Sequence, residues 1–383
     1  MLGTIIWLMI EIILAIFCGI LAGTITGLIP GLHVNLVATL LASFTLPSNI
    51  AIPFLVSLAI THTFLDIIPA VFLMAPEGAH AARPIHKLAQ EGLGYEAVKY
   101  ATVGGIFAIL LITLSLPILS FLFSFDTLLR TVMKPALLVM LIVLICTSKK
   151  PIHSVLIIIL AVYFGVLLLD SNISNPLFLL FSGLFACSSL WLGTSKVSRQ
   201  VISGKVSLTF KNIGSMVVSL IICSVCTLLP GMGAAHAAVL SKYIAKTDRS
   251  WLLISGALNT FSAAIAILYV MVGSRARSGI AVALLQVGEV PIIPVALLIL
   301  AVTTLVVPLT LGIGRFVARK SHLLNTRFAA PLILMSIVII AITLSGWLAI
   351  LVLFAAGSIG LLAHSVNVSK TCLLACIIIP LLV

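Results

Sequence analysis

The sequence predicts an all-α, polytopic integral membrane protein. Of its 383 residues, 62% are hydrophobic and only 8% are charged, whereas a soluble domain carries about 25% charged residues. The apolar runs are continuous rather than alternating, which favours membrane-spanning helices over a β-barrel. The mean hydropathy of +1.35 agrees with this class.

The apolar runs place the helices along the chain. With about 20 apolar residues for each span, the sequence predicts about ten to twelve membrane segments. The longest run, 279–313, is interrupted at Gly288-Glu289-Val290-Pro291. The predicted helices cover residues 4–29, 50–75, 99–124, 135–148, 152–170, 177–194, 213–229, 251–273, 279–313, 329–344, 346–363 and 371–383.

The net charge of +12 comes from basic residues in the short links between apolar runs. Two groups of them, within 196–211 and 315–327, show the positive-inside pattern and are expected on the cytoplasmic side. That pattern argues against a nucleic-acid partner. No lysine or arginine precedes Arg83, and the first apolar run is longer than the hydrophobic region of a signal peptide. We therefore expect it to remain as the first transmembrane helix, with its N-terminus facing outward.

Two Pro-Gly pairs interrupt apolar runs at matching places. Leu28-Ile29-Pro30-Gly31-Leu32 and Leu228-Leu229-Pro230-Gly231-Met232 lie 200 residues apart. Proline removes a backbone donor and glycine allows positive φ, so each pair is expected to break its helix inside the membrane. The segments that follow, 32–46 and 232–245, are too short to span a membrane and are predicted to be re-entrant half-helices.

The two breaks indicate an internal duplication. His62-Thr63 follows the first break by 32 residues and Asn259-Thr260 follows the second by 29, each in the next long apolar helix. Such repeats in membrane carriers are commonly inverted, and we expect an inversion here. The predicted parts are a first transmembrane repeat at 1–194, a basic cytoplasmic linker at 195–212 and a second transmembrane repeat at 213–383.

The start of a half-helix is suited to bind an anion. Its free backbone N–H groups and positive dipole end attract negative charge without a charged side chain, and glycine lets a carboxylate or phosphate approach the backbone. Paired breaks in two halves point to the substrate site of a secondary transporter, although a structural kink in a packed bundle would give the same pattern. Polar side chains near the breaks are expected to face a partner or a cavity. The predicted substrate-binding residues are Pro30, Gly31, His33, Asn35, Pro230, Gly231, Gly233, His236, Asn259 and Thr260.

A carboxylate lies beside a histidine in the second apolar run. His62 and Asp66 are four residues apart and share one helix face, with Thr63 adjacent. An intramembrane carboxylate next to an imidazole is suited to carry a coupling proton or ion, and it would equally form a structural ion pair. His62, Thr63 and Asp66 are therefore the predicted coupling residues, for H⁺ or Na⁺.

The stretch 76–98 is the most polar part of the first 100 residues. It contains His80, Arg83 and His86 and leads into the helix with Gly104-Gly105. Two interpretations stay open for this stretch, a solvated loop and a substrate gate.

Signals of catalysis and of cofactors are absent from the sequence. It has no nucleophile elbow, no metal-protease motif and no nucleotide-binding loop. The seven cysteines all lie in apolar segments, and Cys223 and Cys226 lack the second pair or the nearby histidine that a zinc site needs. We therefore expect no catalytic residue, no metal and no cofactor.

These motifs resemble those of the TctA family, the large permease subunit of tripartite tricarboxylate transporters, and especially its short, stand-alone prokaryotic branch. The general pattern agrees over most of the length, and the specific stretches are 27–33, 228–233 and 68–106. The resemblance implies an inverted-repeat carrier driven by an ion gradient, in the plasma membrane of a prokaryote. It also implies that the carboxylate site is shaped by Pro30, Gly31, Pro230, Gly231 and Gly233.

The chain differs from the family pattern in two places. Residues 61–66 stand where the family has a glycine- and serine-rich stretch, and residues 74–78 replace its Asn-x-Pro-Gly segment. The family works with a separate substrate-binding protein and a small membrane subunit. Because of these differences, citrate as the substrate and the need for those partners stay open. Whether the chain forms a homodimer also stays open.

We predict a secondary active transporter of an organic anion, of the di- or tricarboxylate class, that works by alternating access. The alternative is a translocase for a lipid phosphate such as polyprenyl phosphate, which would use the same half-helix site. A basic residue in the cavity or a lateral opening between helices would favour that alternative. A membrane enzyme acting on a lipid would need a nucleophile and a base within hydrogen-bond reach. The expected partners are the lipid bilayer, a small anion and a coupling ion, and no nucleic acid.

Overall fold

The regular structure in the described part of the chain is helical. The computed structural model describes residues 2–41, 44, 46–73, 75, 80, 85–123, 126–192, 197–202, 205–229, 232–272, 276, 278–288, 290–323 and 326–381. The helices are α1 (Leu2–Leu28), α2 (Val34–Leu41), α3 (Ser48–Leu65), α4 (Ile67–Phe72), α5 (His86–Gln90), α6 (Gly94–Leu114), α7 (Leu116–Phe123), α8 (Asp126–Cys146), α9 (Pro151–Leu169), α10 (Pro176–Phe181), α11 (Ser188–Leu192), α12 (Phe210–Leu228), α13 (Ala234–Ser241), α14 (Asp248–Met271), α15 (Gly279–Val287), α16 (Ile292–Lys320), α17 (Thr326–Ser345), α18 (Ala349–Ser365) and α19 (Ala375–Ile378).

Eight helices within the described residues are long and apolar enough to cross a membrane. By length and composition, these candidate spans are Ile6–Leu28, Ser48–Phe72, Gly94–Leu114, Pro151–Leu169, Phe210–Leu228, Asp248–Met271, Ile292–Leu323 and Phe328–Ser345. Three further apolar helices have 10–17 residues: Thr131–Cys146, Pro176–Leu192 and Ala349–Ser365. The predicted all-α membrane class is therefore confirmed. The spans of full length are fewer than the ten to twelve expected, partly because these three predicted segments are short.

A proline places Asp66 at a break between two helices. The sequence predicts one helix over 50–75, but α3 ends at Leu65 and α4 begins one residue after Asp66. Pro69 has no N–H to donate to the carbonyl of Leu65, so one helical hydrogen bond is missing here, while the backbone of Asp66 stays helical at φ −63° and ψ −18°. The carboxylate consequently lies at the junction between α3 and α4.

Other predicted helices are also divided. The predicted helix 99–124 changes from α6 to α7 at Ser115, two residues before Pro117. The predicted helix 177–194 contains a π-helical segment, Ser182–Cys187, between α10 and α11. The described part of the predicted helix 371–383, which ends at residue 381, consists of α19 with a 3₁₀ turn on each side. Pattern and hydropathy locate these segments but not their internal breaks.

The buried side chains form two hydrophobic clusters. The first cluster joins α3, α4, α6, α12, α14, α15 and α16. The second cluster joins α8, α9, α10, α11, α17, α18 and α19. Each cluster takes helices from before and from after the linker predicted at 195–212. Helices of both predicted repeats therefore pack together in each cluster.

The short helices α2 and α13 pack against both clusters. In α2, Val34 is buried in the first cluster and Leu36 in the second. In α13, Ala237 is buried in the first cluster and Val239 in the second. The two short helices thus lie in the seam between the clusters.

Three glycines bring α1 close to α3. Gly19, Gly23 and Gly27 recur every four residues on the face of α1 that meets α3, a spacing that lets membrane helices approach closely. A Cβ at Gly23 would lie 2.6 Å from the carbonyl oxygen of Leu58, and one at Gly27 would lie 3.1 Å from that of His62. This packing places the end of α1 beside His62.

The segment between α11 and α12 is bonded to the start of α6. The N–H of Val201 donates to the carbonyl of Gly92 at 2.9 Å, and the N–H of Gly94 donates to Oε1 of Gln200 at 2.6 Å. The hydroxyl of Ser321, just after α16, donates to the carbonyl of Ser198 at 3.1 Å. The two basic groups predicted on one side of the membrane are therefore neighbours in the fold.

Candidate functional site

Each short helix follows a break at the position predicted from the Pro-Gly pairs. The helix α1 ends at Leu28, and the chain turns at Gly31, whose φ of +89° suits glycine, before α2 begins. The helix α12 ends at Leu228 and α13 begins at Ala234, the same bounds displaced by 200 residues. Pro230 and Gly231 lie outside the described residues.

The starts of α2 and α13 face one polar cavity of about 290 Å³. This volume lies near the lower end of the range for small-molecule sites, about 300–1,000 Å³. Among the predicted site residues, those that line it are His33, Asn35, His62, Thr63, Asp66, Gly233, His236 and Asn259. Further polar lining residues, which the sequence did not single out, are Thr227, Ser262 and Ser278.

Three predicted residues lie elsewhere. Pro30 and Gly31 are buried in the turn behind the cavity wall, where the carbonyl of Gly31 accepts a hydrogen bond of 2.9 Å from the hydroxyl of Ser182. Thr260 is buried against α6, with its Oγ1 3.0 Å from where a Cβ at Gly105 would lie. These residues are placed to support the cavity rather than to touch a solute in it.

Asp66 is held by groups from two other parts of the chain. Asn259 Nδ2 donates to Asp66 Oδ2 at 2.5 Å. His80 Nε2 lies 3.4 Å from Asp66 Oδ1, close enough for an ion pair but not aligned as a hydrogen bond. The other ring nitrogen of His80 lies 3.2 Å from Ser255 Oγ on α14. Sequence reasoning missed this role of His80, because the stretch around it has no helical periodicity that would show which residue turns inward.

His62 has different partners from Asp66. Its Nδ1 lies 3.2 Å from the hydroxyl of Thr26 on α1. Its ring is 5.2 Å from the ring of His33, centroid to centroid, with the two planes at 59°. His62 and Asp66 line the same cavity. The close contacts of the His62 imidazole, however, are with Thr26 on α1 and with His33, just before α2.

Several buried polar atoms at the site have no hydrogen-bond partner within the protein. They are Asn35 Oδ1, Asp66 Oδ1, His80 Nε2, His236 Nε2 and Thr260 Oγ1. Leaving such a group unsatisfied costs about 1–3 kcal/mol, so buried polar atoms are usually bonded. Of these residues, Asn35, Asp66 and His236 line the cavity.

The charge of the cavity comes from one acidic side chain. Among the described residues that line it, Asp66 carries the one carboxylate, and none is lysine or arginine. A larger cavity, of about 340 Å³ near the end of α2, has walls that are apolar except for Gln286. We place the candidate site in the smaller cavity because the polar side chains and both short helices converge there.

The fold and the cavity define a polytopic α-helical membrane protein with an internal polar site. The chain belongs to the tripartite tricarboxylate transporter TctA family, which matches residues 13–375. The resemblance found in the sequence is thereby confirmed. The family is one of transporters, in agreement with the prediction that the protein is not an enzyme.

A similar protein is the uncharacterized protein MJ1079 of Methanocaldococcus jannaschii. It is 29% identical over 349 residues, which cover 86% of this chain and 87% of the relative. No solved structure matches the chain.

Proposed function

We propose that the protein is a secondary active transporter of a di- or tricarboxylate and that the polar cavity is its substrate site. Family membership supports carboxylate transport. The placement of the substrate site in this cavity is supported by one observation, that the starts of α2 and α13 both face it. Two helix N-termini directed at one point favour a negatively charged solute between them.

The substrate carboxylates would bond to backbone N–H groups and to imidazoles. The first N–H groups of a helix lack the usual intrahelical partner, but in α2 those of Asn35 and Leu36 already donate to His33, and in α13 that of His236 donates to Gly233. The N–H groups that would meet a carboxylate are therefore the very first ones, of Val34 and Ala234. Gly233 leaves room at the start of α13, since a Cβ there would meet nothing closer than Ser262 Oγ at 3.7 Å. His33, Asn35 and His236 would then orient the substrate from the two sides.

The residues of the turns would shape the site without contacting the substrate. Gly31 permits the sharp turn into α2, and Pro30 ends the hydrogen bonding of α1. By the correspondence of the two halves in the sequence, we propose that Pro230 and Gly231 also help to shape the site. Thr260 would support Asn259 from the layer behind.

We further propose that α2 and α13 are re-entrant half-helices of two inverted repeats. Both pack against both hydrophobic clusters, so a displacement of one cluster relative to the other would change the access to the cavity between them. Such a movement about a fixed site is the basis of alternating access in carriers of this kind.

Asp66 gives a physical reason for ion coupling. A substrate carboxylate about 6 Å from an ionised Asp66 would be disfavoured by about 3 kcal/mol at an effective dielectric constant of about 20. A proton on the carboxyl group, or Na⁺ beside it, removes this repulsion. Asp66, with His62 and Thr63 on the same cavity wall, would therefore couple substrate binding to H⁺ or Na⁺ binding.

The test is transport by the chain alone. Purified protein in proteoliposomes is assayed for counterflow of labelled dicarboxylates and tricarboxylates, with Gly31→Leu as the disruptive variant. The control is Gly214→Leu, since a Cβ at Gly214 meets nothing within 4 Å. Counterflow by the wild type and by the control, but not by Gly31→Leu, is expected.

The lipid-phosphate alternative is an outcome of the same experiment. The vesicles also carry a fluorescent lipid phosphate whose exposure in each leaflet is measured. Translocation of this lipid without carboxylate counterflow, in vesicles shown to hold folded protein, would replace the carboxylate proposal. Counterflow that appears only after a substrate-binding protein is added would show that an accessory partner is required.

A further inference from the structure

His80 is the buried histidine of the site that the proposed carboxylate chemistry does not use. The residue is fully buried, although it belongs to the most polar stretch of the first 100 residues. Its two ring nitrogens face Asp66 and Ser255. Burial of a polar ring between a carboxylate and a hydroxyl requires a specific arrangement of both neighbours.

The two oxygens of Asp66 have chemically different neighbours. Oδ2 accepts from the amide of Asn259, which does not titrate in water. Oδ1 has no aligned hydrogen bond and faces Nε2 of His80 at 3.4 Å. An imidazole nitrogen can donate or accept a proton, so Oδ1 is the oxygen of Asp66 that faces a group able to exchange a proton with it.

We propose that His80 passes the coupling proton to and from Asp66. An imidazolium at His80 releases the proton of Nε2 to Asp66 Oδ1, and the N–H bond breaks as the O–H bond forms. The products are a neutral imidazole and a neutral carboxyl group, and the total charge is unchanged. Asp66 in its neutral form then admits the anionic substrate. This inference rests on the proposed function and selects H⁺ as its coupling ion.

The other titratable groups near Asp66 are histidines with other contacts. His33 faces the cavity from the start of α2, and His236 faces it from the start of α13. His62, on α3, contacts Thr26 and the ring of His33. From α14, the amide of Asn259 faces Asp66 and the hydroxyl of Ser255 faces His80. Neither group titrates near neutral pH. Among the described residues that line the cavity, there is no lysine, arginine or glutamate.

The position of His80 in the chain indicates the side from which protons arrive. His80 lies between α4 and α5, and the turn after α5 is bonded to the linker through Gly92 and Gly94. The basic pattern predicts that this linker lies in the cytoplasm. We therefore assign His80 to a proton path between the cytoplasm and Asp66.

The experiment separates coupling from exchange. Full-length protein in proteoliposomes is assayed for carboxylate exchange at equal pH on both sides and for accumulation driven by a pH gradient. His80→Asn is expected to retain exchange and to lose gradient-driven accumulation by at least about tenfold, because a positioned proton-transfer group is gone. His153→Asn, at an exposed histidine near the start of α9, is the matched control and should match the wild type in both assays.

Two transport results would overturn the inference. The first is full gradient-driven accumulation by His80→Asn, whether or not His62→Asn loses it. The second is accumulation by the wild type that follows a Na⁺ gradient and not a pH gradient. A wild type that exchanges no carboxylate refutes the proposed function instead, and the next measurement then tests His80 alone.

Carbodiimide labelling of Asp66 tests the pair without any substrate. The reagent reacts with the protonated carboxyl group, and mass spectrometry gives the labelled fraction across a pH series. Removing a cationic neighbour disfavours the carboxylate form, so half-labelling should move to higher pH in His80→Asn. Ser255→Ala removes the other partner of the His80 ring and should also move half-labelling to higher pH. This variant replaces His80→Asn in the test if His80→Asn does not fold. Unchanged profiles in folded variants would refute the coupling of His80 to Asp66.

Discussion

Asn259 Nδ2 and Asp66 Oδ2 lie 2.5 Å apart, which joins α14 to the junction between α3 and α4. The two residues are 193 positions apart in the chain. The amide stabilises the carboxylate without adding charge, and it leaves the second oxygen of Asp66 free to meet another group. The carboxylate of the cavity is thus held by both predicted halves of the chain.

Asp66→Asn should separate exchange from coupling. The amide resembles the protonated carboxyl group in shape and charge, so a substrate anion still binds, but no proton or Na⁺ is carried with it. We expect carboxylate exchange to persist and gradient-driven accumulation to fall to the level seen without a gradient. Asp170→Asn, at an exposed carboxylate after α9, is the control, and loss of accumulation in both variants would contradict the prediction.

Asn259→Asp should make the protein sensitive to alkaline conditions. Two carboxyl groups at the present spacing cannot both ionise without strong repulsion, so the folded variant is destabilised wherever both side chains would be charged. Stability from this pair is therefore present at low pH and is lost as the pH rises. The thermal midpoint of the detergent-solubilised variant should fall relative to the wild type between about pH 5 and pH 8. If the thermal midpoints of the variant and the wild type differ by the same amount at both pH values, the contact between positions 66 and 259 is not supported.

Gly31→Ala should destabilise the turn before α2 for two reasons. Its φ of +89° is strained for alanine, and the new Cβ would lie 2.9 Å from both Ala186 Cβ and Ile337 Cδ1. Strain of about 1–2 kcal/mol and crowding of about 1–3 kcal/mol are expected together. Gly346→Ala isolates the first cause, because Gly346 has φ +78° and open space around it. Thermal midpoints should rank wild type above Gly346→Ala and Gly346→Ala above Gly31→Ala.

Gly23→Ala should weaken the packing of α1 on α3. The added Cβ would lie 2.6 Å from both the carbonyl oxygen of Leu58 and the Cβ of Thr61, and neither atom can move without shifting a helix. A cost of about 1–3 kcal/mol is expected for such overpacking. Gly214→Ala, at a helical position with open space, should be neutral or stabilising by up to about 1 kcal/mol. Size-exclusion profiles recorded after heating give a thermal midpoint for each variant. Equal midpoints for Gly23→Ala and Gly214→Ala would contradict the close contact of α1 with α3.

Lys370 should make stability rise with pH in the alkaline range. Its amine donates to Ser188 Oγ at 2.9 Å and to Ser189 Oγ at 2.6 Å, and burial lowers its pKa from 10.5 to about 8. Between these values the unfolded chain binds a proton that the folded protein does not, so unfolding becomes less favourable as the pH rises. The thermal midpoint of the wild type should therefore gain on that of Lys370→Met when the pH is raised from about 7 to 9.5. If the difference between the two thermal midpoints stays constant over this pH range, the amine of Lys370 is solvated rather than buried.

Composition and motif spacing predict the class of the protein and the helix breaks well. Long apolar runs have few alternatives to membrane helices, and Pro-Gly pairs interrupt them for local reasons that need no tertiary information. For that reason Leu28 and Leu228 end their helices where the pattern places the breaks. The break at Asp66 also has a local cause, Pro69, but the hydropathy of the run hides it.

The contacts of the site depend on packing that the sequence does not display. Thr260 follows Asn259 directly, yet it turns toward Gly105 while its neighbour turns toward Asp66. His80 shows no pattern that would direct it inward. The division of the helices between two clusters is equally invisible, because it depends on which helices meet rather than on where each helix lies in the chain.

The mixed membership of the two clusters has a consequence for biosynthesis. The first cluster contains side chains from Val34 to Ala318, so its core cannot close until the ribosome has made most of the chain. Early helices such as α1 and α3 can pair through their glycines, but α6 must wait in the bilayer for α14, against which it packs. A chain that stops at the linker would leave both cores half-built and would be a natural substrate for membrane quality-control proteases. Separately expressed halves, by contrast, would have to find each other within the membrane before either could become stable.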